Sequence, residues 1–192
     1  PRKQAKVINL AMMYGMGVTK LSEQLDITLP EAKELTKQYH ARVPFVKGLM
    51  QGVQRSLEDK RSSGSLRSLG GRKARFDMWE PDEFAMNKAM PYQDAVNAYG
   101  PTTRLKRAYT YKALNRLIQS SAADMTKQAM VDVYKSGTVP LLQVHDELAF
   151  SVKTPEQAKE LAVMMQNAIK ISVPNKCDIE LGPNWGDFDI VE

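Results

Sequence analysis

Helix-breaking residues divide the first third of the chain, and this division constrains its fold more than any other feature. The breaks fall at Gly15 and Gly17, at Pro30, at Pro44 and at the Ser62–Gly64 run. Glycine ends helices readily, and proline is well accepted only in a first helical turn. Apolar residues recur at helical spacing between the breaks. The sequence therefore predicts four helices, over about residues 2–15, 18–25, 30–43 and 44–60.

The rest of the chain mixes strand-like and helical patterns. A Gly70-Gly71 pair between alternating segments predicts a hairpin with a two-residue turn over about residues 65–76. Residues 77–103 show no clear periodicity, so we predict a loop with one short helix there. Further along, the patterns predict a long helix, a hairpin, another helix and a final strand, over about residues 109–135, 139–152, 155–169 and 177–181.

Composition narrows the setting in which the chain works. Lys and Arg number 27 against 22 Asp and Glu, so the net charge of +5 favours a polyanionic partner only weakly. Because no apolar run approaches the ~20 residues of a membrane span and no signal peptide is visible, we expect no membrane partner. The single Cys177 excludes an internal disulfide framework and favours a reducing, intracellular setting.

The first predicted helix carries four residues at a spacing of four: Arg2, Lys6, Leu10 and Tyr14. Residues four apart lie on one face of an α-helix. That face presents two cations, an apolar patch and an aromatic ring, which is the order of parts in a nucleoside triphosphate. Lys6 and Tyr14 lie ~12 Å apart along the helix axis, about the reach of an extended nucleotide. Spacing alone leaves two alternatives open: a solvated basic face, or a core stripe that includes Leu10, Met13 and Tyr14.

Two adjacent carboxylates, Asp146 and Glu147, separate two strongly apolar segments of the predicted 139–152 hairpin. Anions inside a core-like sheet cost free energy unless a cation compensates them. Hard oxygen ligands favour Mg²⁺ as that cation. The alternative is a turn that simply faces water, as most turns containing Asp do.

Polar and basic residues elsewhere suit contacts with nucleic acid. Asn115 and Gln119 are four apart on the predicted long helix, so their amides share a face and could donate to bases in a minor groove. The hairpin over residues 65–76 carries several basic residues, Arg72 among them, which suit phosphate contacts. Both features also have a simpler interpretation, as surface amides in one case and as an edge strand protected by charge in the other.

These motifs occur together and in one order, which resembles the C-terminal part of a family A DNA polymerase, the group of bacterial DNA polymerase I and many phage replicative polymerases. The family's fingers helix has the pattern R-x3-K-x7-Y-G, matched here by Arg2, Lys6, Tyr14 and Gly15. Its palm hairpin signature is matched by Gln143–Leu148. Its palm helix is matched by Asn115 and Gln119, followed by Ala122-Ala123. Gly71–Lys73 resembles its Gly-Arg-Arg segment, and Gly182–Trp185 resembles its C-terminal end.

The resemblance implies an α+β fold made of two parts. Residues 1–105 would form a helical fingers subdomain, which includes the nucleotide-binding helix, the basic hairpin and the irregular segment 77–105. Residues 106–192 would form the C-terminal part of an antiparallel-sheet palm with packed helices. The resemblance also implies primer-template DNA and a dNTP as partners, in the cytoplasm of a bacterium or of a phage-infected host cell.

The same resemblance implies roles for individual residues of the fingers. Arg2 and Lys6 would bind the triphosphate of the incoming dNTP, with Lys6 also a candidate proton donor to the leaving pyrophosphate. Leu10 would lie against the sugar and base. Tyr14 would pack near the templating position and help to check the shape of the base pair. Arg72, on the basic hairpin, would contact the nucleic-acid backbone.

The palm residues would hold the metal and the primer. Asp146 would bind catalytic Mg²⁺, supported by Glu147, in a two-metal phosphoryl transfer to the primer 3′-hydroxyl. His145 would lie close to the primer terminus. Asn115 and Gln119 would touch the minor groove of the primer-template.

The sequence departs from the family pattern at several points. Leu10 stands where Phe or Tyr is usual, Ala11 replaces a common Gly, and Tyr111 stands where Arg or His often precedes the Asn. The family's other metal-binding Asp lies in a D-x-S-x-I-E-L-R-like motif before the fingers helix, and that motif is not in this sequence. The chain also begins at Pro1 inside a helical pattern. We therefore expect that these residues do not polymerise alone, and that a missing N-terminal segment, on the same or a separate chain, completes the site.

Rival interpretations stay open at this point. A single-subunit RNA polymerase shares the palm and fingers, but those enzymes more often have His-Asp-Ser and a Met-Thr pair in the fingers helix. Glu147 and the Leu10-Ala11 pair therefore favour DNA synthesis. A non-catalytic DNA-binding remnant is disfavoured because the fingers cations and the hairpin carboxylates are retained together. An unrelated α+β domain with chance motifs is the least favoured.

Overall fold

The computed structural model describes residues 2–59, 62–83 and 87–191. The chain divides into two compact units, residues 1–118 and 119–192. Seven α-helices and four small antiparallel sheets occur in the described residues, which confirms the predicted α+β fold. The division into fingers over 1–105 and palm over 106–192 stays a prediction. Across the described part of the chain, every helix is too short or too polar to cross a membrane.

Four helices open the first unit, close to where the breaks predicted them. They are α1 (Arg2–Met13), α2 (Val18–Leu25), α3 (Leu29–Arg42) and α4 (Pro44–Glu58). Gly15 ends α1 with a φ of +68°, a conformation in which glycine has no Cβ penalty. The Met16 amide donates to the Ala11 carbonyl at 2.9 Å and closes the helix end.

A capping box formed by Thr28 and Glu31 starts α3. The Thr28 amide donates to Glu31 Oε2 at 2.8 Å, while the Glu31 amide donates to Thr28 Oγ1 at 3.4 Å. Each residue therefore satisfies an amide that the helix leaves without a partner. The three helices α1, α2 and α3 share a small core, formed by Ala11, Met12, Leu21 and Ala32.

The basic hairpin is present, but its predicted two-residue turn is wrong. Strands β1 (Ser65–Arg67) and β2 (Lys73–Arg75) pair antiparallel. The Ser68 amide donates to the Arg72 carbonyl at 3.0 Å, so three residues, Leu69, Gly70 and Gly71, make the connection. Gly71 has a φ of +80°, which is the conformation that ends a three-residue hairpin loop. One glycine of the pair therefore sets the turn.

Residues 77–103 are more regular than the predicted loop. They and their neighbours form β3 (Met78–Pro81), β4 (Met90–Pro91), α5 (Tyr92–Tyr99) and β5 (Leu105–Arg107), with sheet order β4-β3-β5. The predicted short helix is confirmed, but the prediction that the rest of the segment is a loop without strands is wrong. Strands of two to four residues are too short to show a period of two.

Arg107 holds this small sheet to its surroundings. Its guanidinium lies 4.5 Å from the centroid of the Trp79 ring. Nη1 donates to the Phe76 carbonyl at 3.0 Å, and Nη2 donates to the Ser62 carbonyl at 3.3 Å. A Cβ on Gly64 would contact the same guanidinium, and the φ of +63° at Gly64 favours glycine there. One cation thus connects Ser62, which follows α4, to Phe76 after β2 and to Trp79 in β3.

The long helix α6 (Ala113–Lys135) begins later than the predicted Tyr109. A 3₁₀ turn over Thr110–Lys112 precedes it. Tyr109 has φ 62° and ψ 14°, in the left-handed region, so it cannot be part of a right-handed helix. The apolar pattern continues through this turn, which is why the sequence suggests an earlier start.

The second unit contains the larger part of α6, two hairpins and the helix α7. Strands β6 (Leu142–Val144) and β7 (Glu147–Ala149) form the predicted hairpin. The predicted helix after it is α7 (Pro155–Asn167), and Thr154 Oγ1 caps it by accepting from the Gln157 amide. Strand β8 (Ile179–Asn184) pairs with β9 (Asp187–Val191), which the sequence analysis missed. A Cβ on Gly182 would overlap the Asp187 backbone, so β8 needs glycine where the backbone of β9 approaches it.

Candidate nucleotide and nucleic-acid sites

One face of α1 is solvent-exposed and the opposite face is buried. Lys6 is exposed, and Leu10 retains 41% of its accessible surface. Ala11 and Met12 are 2% and 3% exposed and pack in the helical core. The alternative that Leu10 belongs to a core stripe is therefore wrong. The side chain of Arg2 lies outside the described side chains, although its backbone starts α1.

Tyr14 continues the line of Lys6 and Leu10 just past the last residue of α1. Its amide donates to the Leu10 carbonyl at 3.0 Å, so it keeps the helical spacing. Its ring is half-buried, whereas Leu10 is more exposed. From Lys6 to Tyr14 the exposed face measures ~12 Å along the axis. The positive end of the helix dipole lies at the Lys6 side, which favours an anion there.

A hydrogen bond joins α3 to α1 beside the exposed face. The Tyr39 hydroxyl donates to Asn9 Oδ1 at 2.7 Å, and the Tyr39 ring packs against the helical core. Burial raises the pKa of Tyr39 above its ordinary value, so the hydroxyl keeps its proton and remains a donor. Asn9 lies next to Leu10 in the sequence, so this bond helps to direct the exposed face. The sequence analysis gave Asn9 no role, since a 30-residue separation carries no local pattern.

The carboxylates lie at the tip of the β6–β7 hairpin. Val144 pairs with Glu147, so His145 and Asp146 form a two-residue turn. His145 has a φ of 54°, as the first residue of such a turn often requires, and its carbonyl accepts from Gln143 Nε2 at 2.8 Å. Glu147 is therefore the first residue of β7. The sequence had suggested instead that Glu147 belongs to the turn.

The hairpin is more exposed than its apolar sequence indicates. Leu142 and Val144 retain 41% and 38% of their accessible surface, and only Leu148 among the residues of its two strands is buried. Asp146 and Glu147 are exposed as well. The expectation that these anions lie inside a core-like sheet is wrong for this unit. Asp146 and Glu147 could share a cation because they are adjacent in the sequence, and not because they are buried.

Asp146 and Glu147 fit part of a magnesium site. Their carboxylates are hard oxygen donors on adjacent residues, and the hairpin presents both to solvent. The described residues contain no group of three or more His, Cys, Asp or Glu that could enclose a metal ion. Mg²⁺ is commonly held by one or two carboxylates, with water and substrate phosphates as its other ligands. The donor chemistry therefore fits Mg²⁺.

The predicted DNA-contacting residues lie on three different elements. Asn115 is half-buried and Gln119 is exposed, four residues apart on α6. Arg72 is exposed at the end of the basic hairpin, and its amide is held by Ser68 Oγ at 3.1 Å. His145 is exposed at the turn before Asp146. Lys6, Asn115 and Arg72 belong to the first compact unit, whereas His145 belongs to the second.

Arg116 joins the basic hairpin to α6 and was missed by the sequence analysis. Its Nη1 donates to the Arg75 carbonyl at 2.9 Å, and its guanidinium lies 5.3 Å from the centroid of the Phe76 ring. The hairpin that carries Arg72 is thereby connected to the first turn of α6, next to Asn115. Within the first unit, these two predicted contacts therefore lie on physically connected elements.

Comparison with known proteins shows the family to which the chain belongs. The family model for DNA polymerase family A matches residues 1–187, and the chain belongs to that family. A DNA-directed DNA polymerase of Pseudomonas phage M6 is 30% identical over 219 residues, covering 96% of this chain and 29% of the phage protein. DNA polymerase I of Treponema pallidum is 34% identical over 197 residues, covering 97% of this chain and 18% of the relative.

A solved structure shares the fold as well. The POL domain of Pol1 from M. smegmatis, in a complex with DNA primer-template and dNTP, superposes with a TM-score of 0.65 at 29% identity. The match covers 91% of this chain and 29% of that one. The chain thus spans less than a third of the length of each of these relatives. Family membership confirms the resemblance drawn from the motifs.

Proposed function

We propose that this chain supplies nucleotide-binding and DNA-binding parts of a DNA-directed DNA polymerase, which adds dNMP from dNTP to a primer 3′-hydroxyl. The observation that carries the proposal is the exposed face of α1. Lys6 and Leu10 face solvent there while Ala11 and Met12 anchor the helix from behind. Membership in DNA polymerase family A supports the assignment of nucleotide binding to this face.

The α1 face would bind the incoming nucleotide. Arg2 and Lys6 would hold the triphosphate, aided by the positive end of the helix dipole. Lys6 would also donate a proton to the leaving pyrophosphate as the new bond forms. Leu10 would contact the sugar and base, and Tyr14 would lie near the templating position, where a misshapen pair would collide with its ring.

The β6–β7 hairpin would hold metal and primer. Asp146 and Glu147 would bind Mg²⁺, which when bound neutralises phosphate charge and lowers the pKa of an oxygen ligand. His145, in the same turn, would lie beside the primer terminus. Asn115 and Gln119 would donate to minor-groove acceptors that all base pairs share, so they would hold duplex of any sequence. Arg72 and its hairpin would contact the DNA backbone.

We further propose that these 192 residues alone do not extend a primer. Two hairpin carboxylates are one part of a two-metal donor set, and no D-x-S-x-I-E-L-R-like motif occurs in the sequence. A primer-extension assay compares the chain alone with a protein in which a strand bearing that motif precedes it. Robust synthesis by the chain alone would contradict this proposal.

Nucleotide binding tests the α1 face directly. Titration of the chain with a fluorescent dNTP measures its affinity, and Lys6→Gln should weaken it about 10- to 100-fold, because one charge-assisted contact to phosphate is lost. Lys20→Gln, a matched change at an exposed lysine of α2, should leave the affinity unchanged. If both variants bind dNTP as the unaltered chain does, α1 is not the nucleotide site.

A further inference from the structure

One face of α4 presents large apolar side chains and glycines to solvent. Phe45 retains 66% of its accessible surface and Leu49 retains 44%. Gly48 and Gly52 are exposed next to them. The four residues follow the spacing i, i+3, i+4 and i+7, so they lie along one face of the helix over two turns. We call these four residues the Phe45–Gly52 face.

The two glycines of this face have no role in the fold of the described residues. Neither Gly48 nor Gly52 has a positive φ, so the backbone does not require glycine at either position. A Cβ added to either would meet no atom of the described structure within 4 Å. Glycine inside a helix lowers its stability relative to alanine. Two such costs on one exposed face indicate that the open space above it has a use.

The shape of the face fits a helix that packs against it. The side chains of Phe45 and Leu49 stand beside the open glycine positions, so ridges alternate with gaps. Packed helices interdigitate their side chains in this way. On the other side of α4, Val46 and Leu57 are fully buried and hold the helix in the fold. The face is ~10 Å long along the axis, which matches about two turns of a partner helix.

The charge around the face favours an acidic partner. Residues 35–57 contain no Asp or Glu, and all four of their Lys and Arg residues are exposed: Lys37, Arg42, Lys47 and Arg55. Among the described residues, no carboxylate forms a salt bridge with any of these four. Arg55 lies one turn beyond Gly52 on α4. Arg42 precedes Phe45 by three residues, so cations stand near both ends of the face.

The same residues disfavour two other occupants. If a second copy of the chain packed here through its own α4, an antiparallel arrangement would bring Arg55 of one copy to the Arg42 end of the other. A parallel arrangement would bring the two copies of Arg55 together, and like charges oppose association in both cases. DNA phosphates could pair with the cations, but they would give Phe45 and Leu49 no apolar contact.

We propose that the Phe45–Gly52 face binds an amphipathic helix of another protein that carries acidic residues at both ends of its apolar stripe. Side chains of that stripe fill the gaps at the two glycines, and its carboxylates pair with Arg42 and Arg55. Grooves that bind short helices recognise anchors at i, i+3, i+4 and i+7 in this way. The residues of this face differ from those proposed to hold dNTP, Mg²⁺ and DNA, so a failure here leaves the polymerase proposal intact.

Two synthetic helical peptides test the inference, by fluorescence anisotropy with the 192-residue chain. Both present Leu at i, i+3, i+4 and i+7; one has Glu at each end of this stripe and the other has Lys. The acidic peptide should bind more tightly than the basic one. Phe45→Ala should weaken the acidic peptide about 30-fold, as truncation of an anchor residue does. Val163→Ala, at an exposed apolar residue of α7, should leave its affinity unchanged.

The glycines separate binding from folding. Gly48→Leu and Gly52→Leu, each made alone, should raise the thermal midpoint of unfolding, because leucine is the better helix former. Each should nevertheless weaken the acidic peptide about 10-fold or more, because the new side chain fills a gap that the partner needs. Gln24→Leu, at an exposed residue of α2, should leave peptide affinity unchanged.

Charge reversal tests the acidic ends of the partner. Arg55→Glu should weaken the acidic peptide and strengthen the basic one, whereas Lys127→Glu, at an exposed lysine of α6, should change neither. Binding of the acidic peptide to the unaltered chain should also weaken as salt concentration rises.

Several outcomes would overturn the proposal. The face is wrong if the unaltered chain does not bind the acidic peptide, or if Phe45→Ala and both glycine variants bind it as tightly as the unaltered chain does. Equal affinity for the two peptides contradicts an acidic partner. A dimer in sedimentation equilibrium that Phe45→Ala dissociates would assign the face to a second copy. Duplex DNA that displaces the acidic peptide, and binds less tightly to Phe45→Ala, would assign it to nucleic acid.

Discussion

The exposed face of α1 and the carboxylate hairpin β6–β7 are positioned by opposite means. The α1 face is held from behind by buried Ala11 and Met12 and from the side by the Tyr39–Asn9 hydrogen bond. The hairpin has one buried strand residue, Leu148, and its tip is set by a two-residue turn. Tertiary packing therefore directs the α1 side chains, whereas local backbone geometry directs the carboxylates. Substitutions should act on folding in the first region and on chemistry in the second.

The largest effect should come from the hairpin and leave folding untouched. In a polymerase that contains these residues and the missing motif, Asp146→Asn should lower the primer-extension rate by about a thousandfold or more, because loss of a metal ligand removes several kcal/mol of transition-state stabilisation. Its thermal midpoint should not change, since Asp146 is exposed. Glu180→Gln, at an exposed residue of β8, is the control and should retain full rate. Intact synthesis by Asp146→Asn would favour the non-catalytic remnant.

The second effect should come from the core behind α1. Leu21 is 0% exposed, so Leu21→Ala should cost about 2–5 kcal/mol of unfolding free energy through lost burial and the cavity left behind. Leu10→Ala, on the exposed face, should change that free energy by less than about 0.5 kcal/mol. Urea denaturation followed by circular dichroism measures both. Equal costs would contradict the distinction between the core behind α1 and its exposed face.

The third effect concerns a second hairpin, whose geometry depends on close backbone contact. Gly182→Ala should destabilise the second unit by about 1–3 kcal/mol, because the new Cβ overlaps the Asp187 backbone. Gly186→Ala is the matched change in the same hairpin, where the nearest atom lies at 3.7 Å. Hydrogen exchange of the β8–β9 amides should rise only in the first variant. Similar exchange in both would mean that β9 can move aside.

A smaller effect should follow from loss of one hydrogen bond. Tyr39→Phe keeps the ring but removes the donor to Asn9, and it should cost about 0.5–1.5 kcal/mol of stability. If the bond also directs α1, dNTP affinity should fall in the same variant. Tyr134→Phe, at a ring that is 65% exposed, serves as the control. Loss of stability with unaltered dNTP affinity would confine Tyr39 to a packing role.

The smallest effect should be a dependence on pH at the start of α3. Hydrogen bonds from Thr28 lower the pKa of Glu31 below its ordinary value, so the ionised carboxylate stabilises the folded state. This contribution is present above the ordinary pKa of glutamate and is lost as pH falls through the lowered one. Thr28→Ala should therefore flatten the acid side of a stability-against-pH curve. Parallel curves for both proteins would show that the capping box contributes nothing measurable.

Local signals account for what could be predicted. The helices α1–α4 follow from apolar spacing and from breaks at Gly15, Pro30 and Pro44, each of which acts within a few residues. The β3–β5 sheet could not be predicted in the same way, because Trp79 pairs with Arg107 far along the chain. The missed strand β9 likewise depends on its partner β8.

The sequence by itself determined the family, the α+β class and which residues carry charge: Lys6 in the first helix, Asp146 and Glu147 in a hairpin. Spacing and residue type suffice for these, since they act locally along the chain. Only the tertiary structure decided that Leu10 faces solvent while Ala11 is buried, that Glu147 begins a strand, and that Phe45 and Leu49 stand exposed beside two glycines with open space above them. Burial and side-chain contact depend on which distant residues cover a surface, and neither spacing nor composition specifies that.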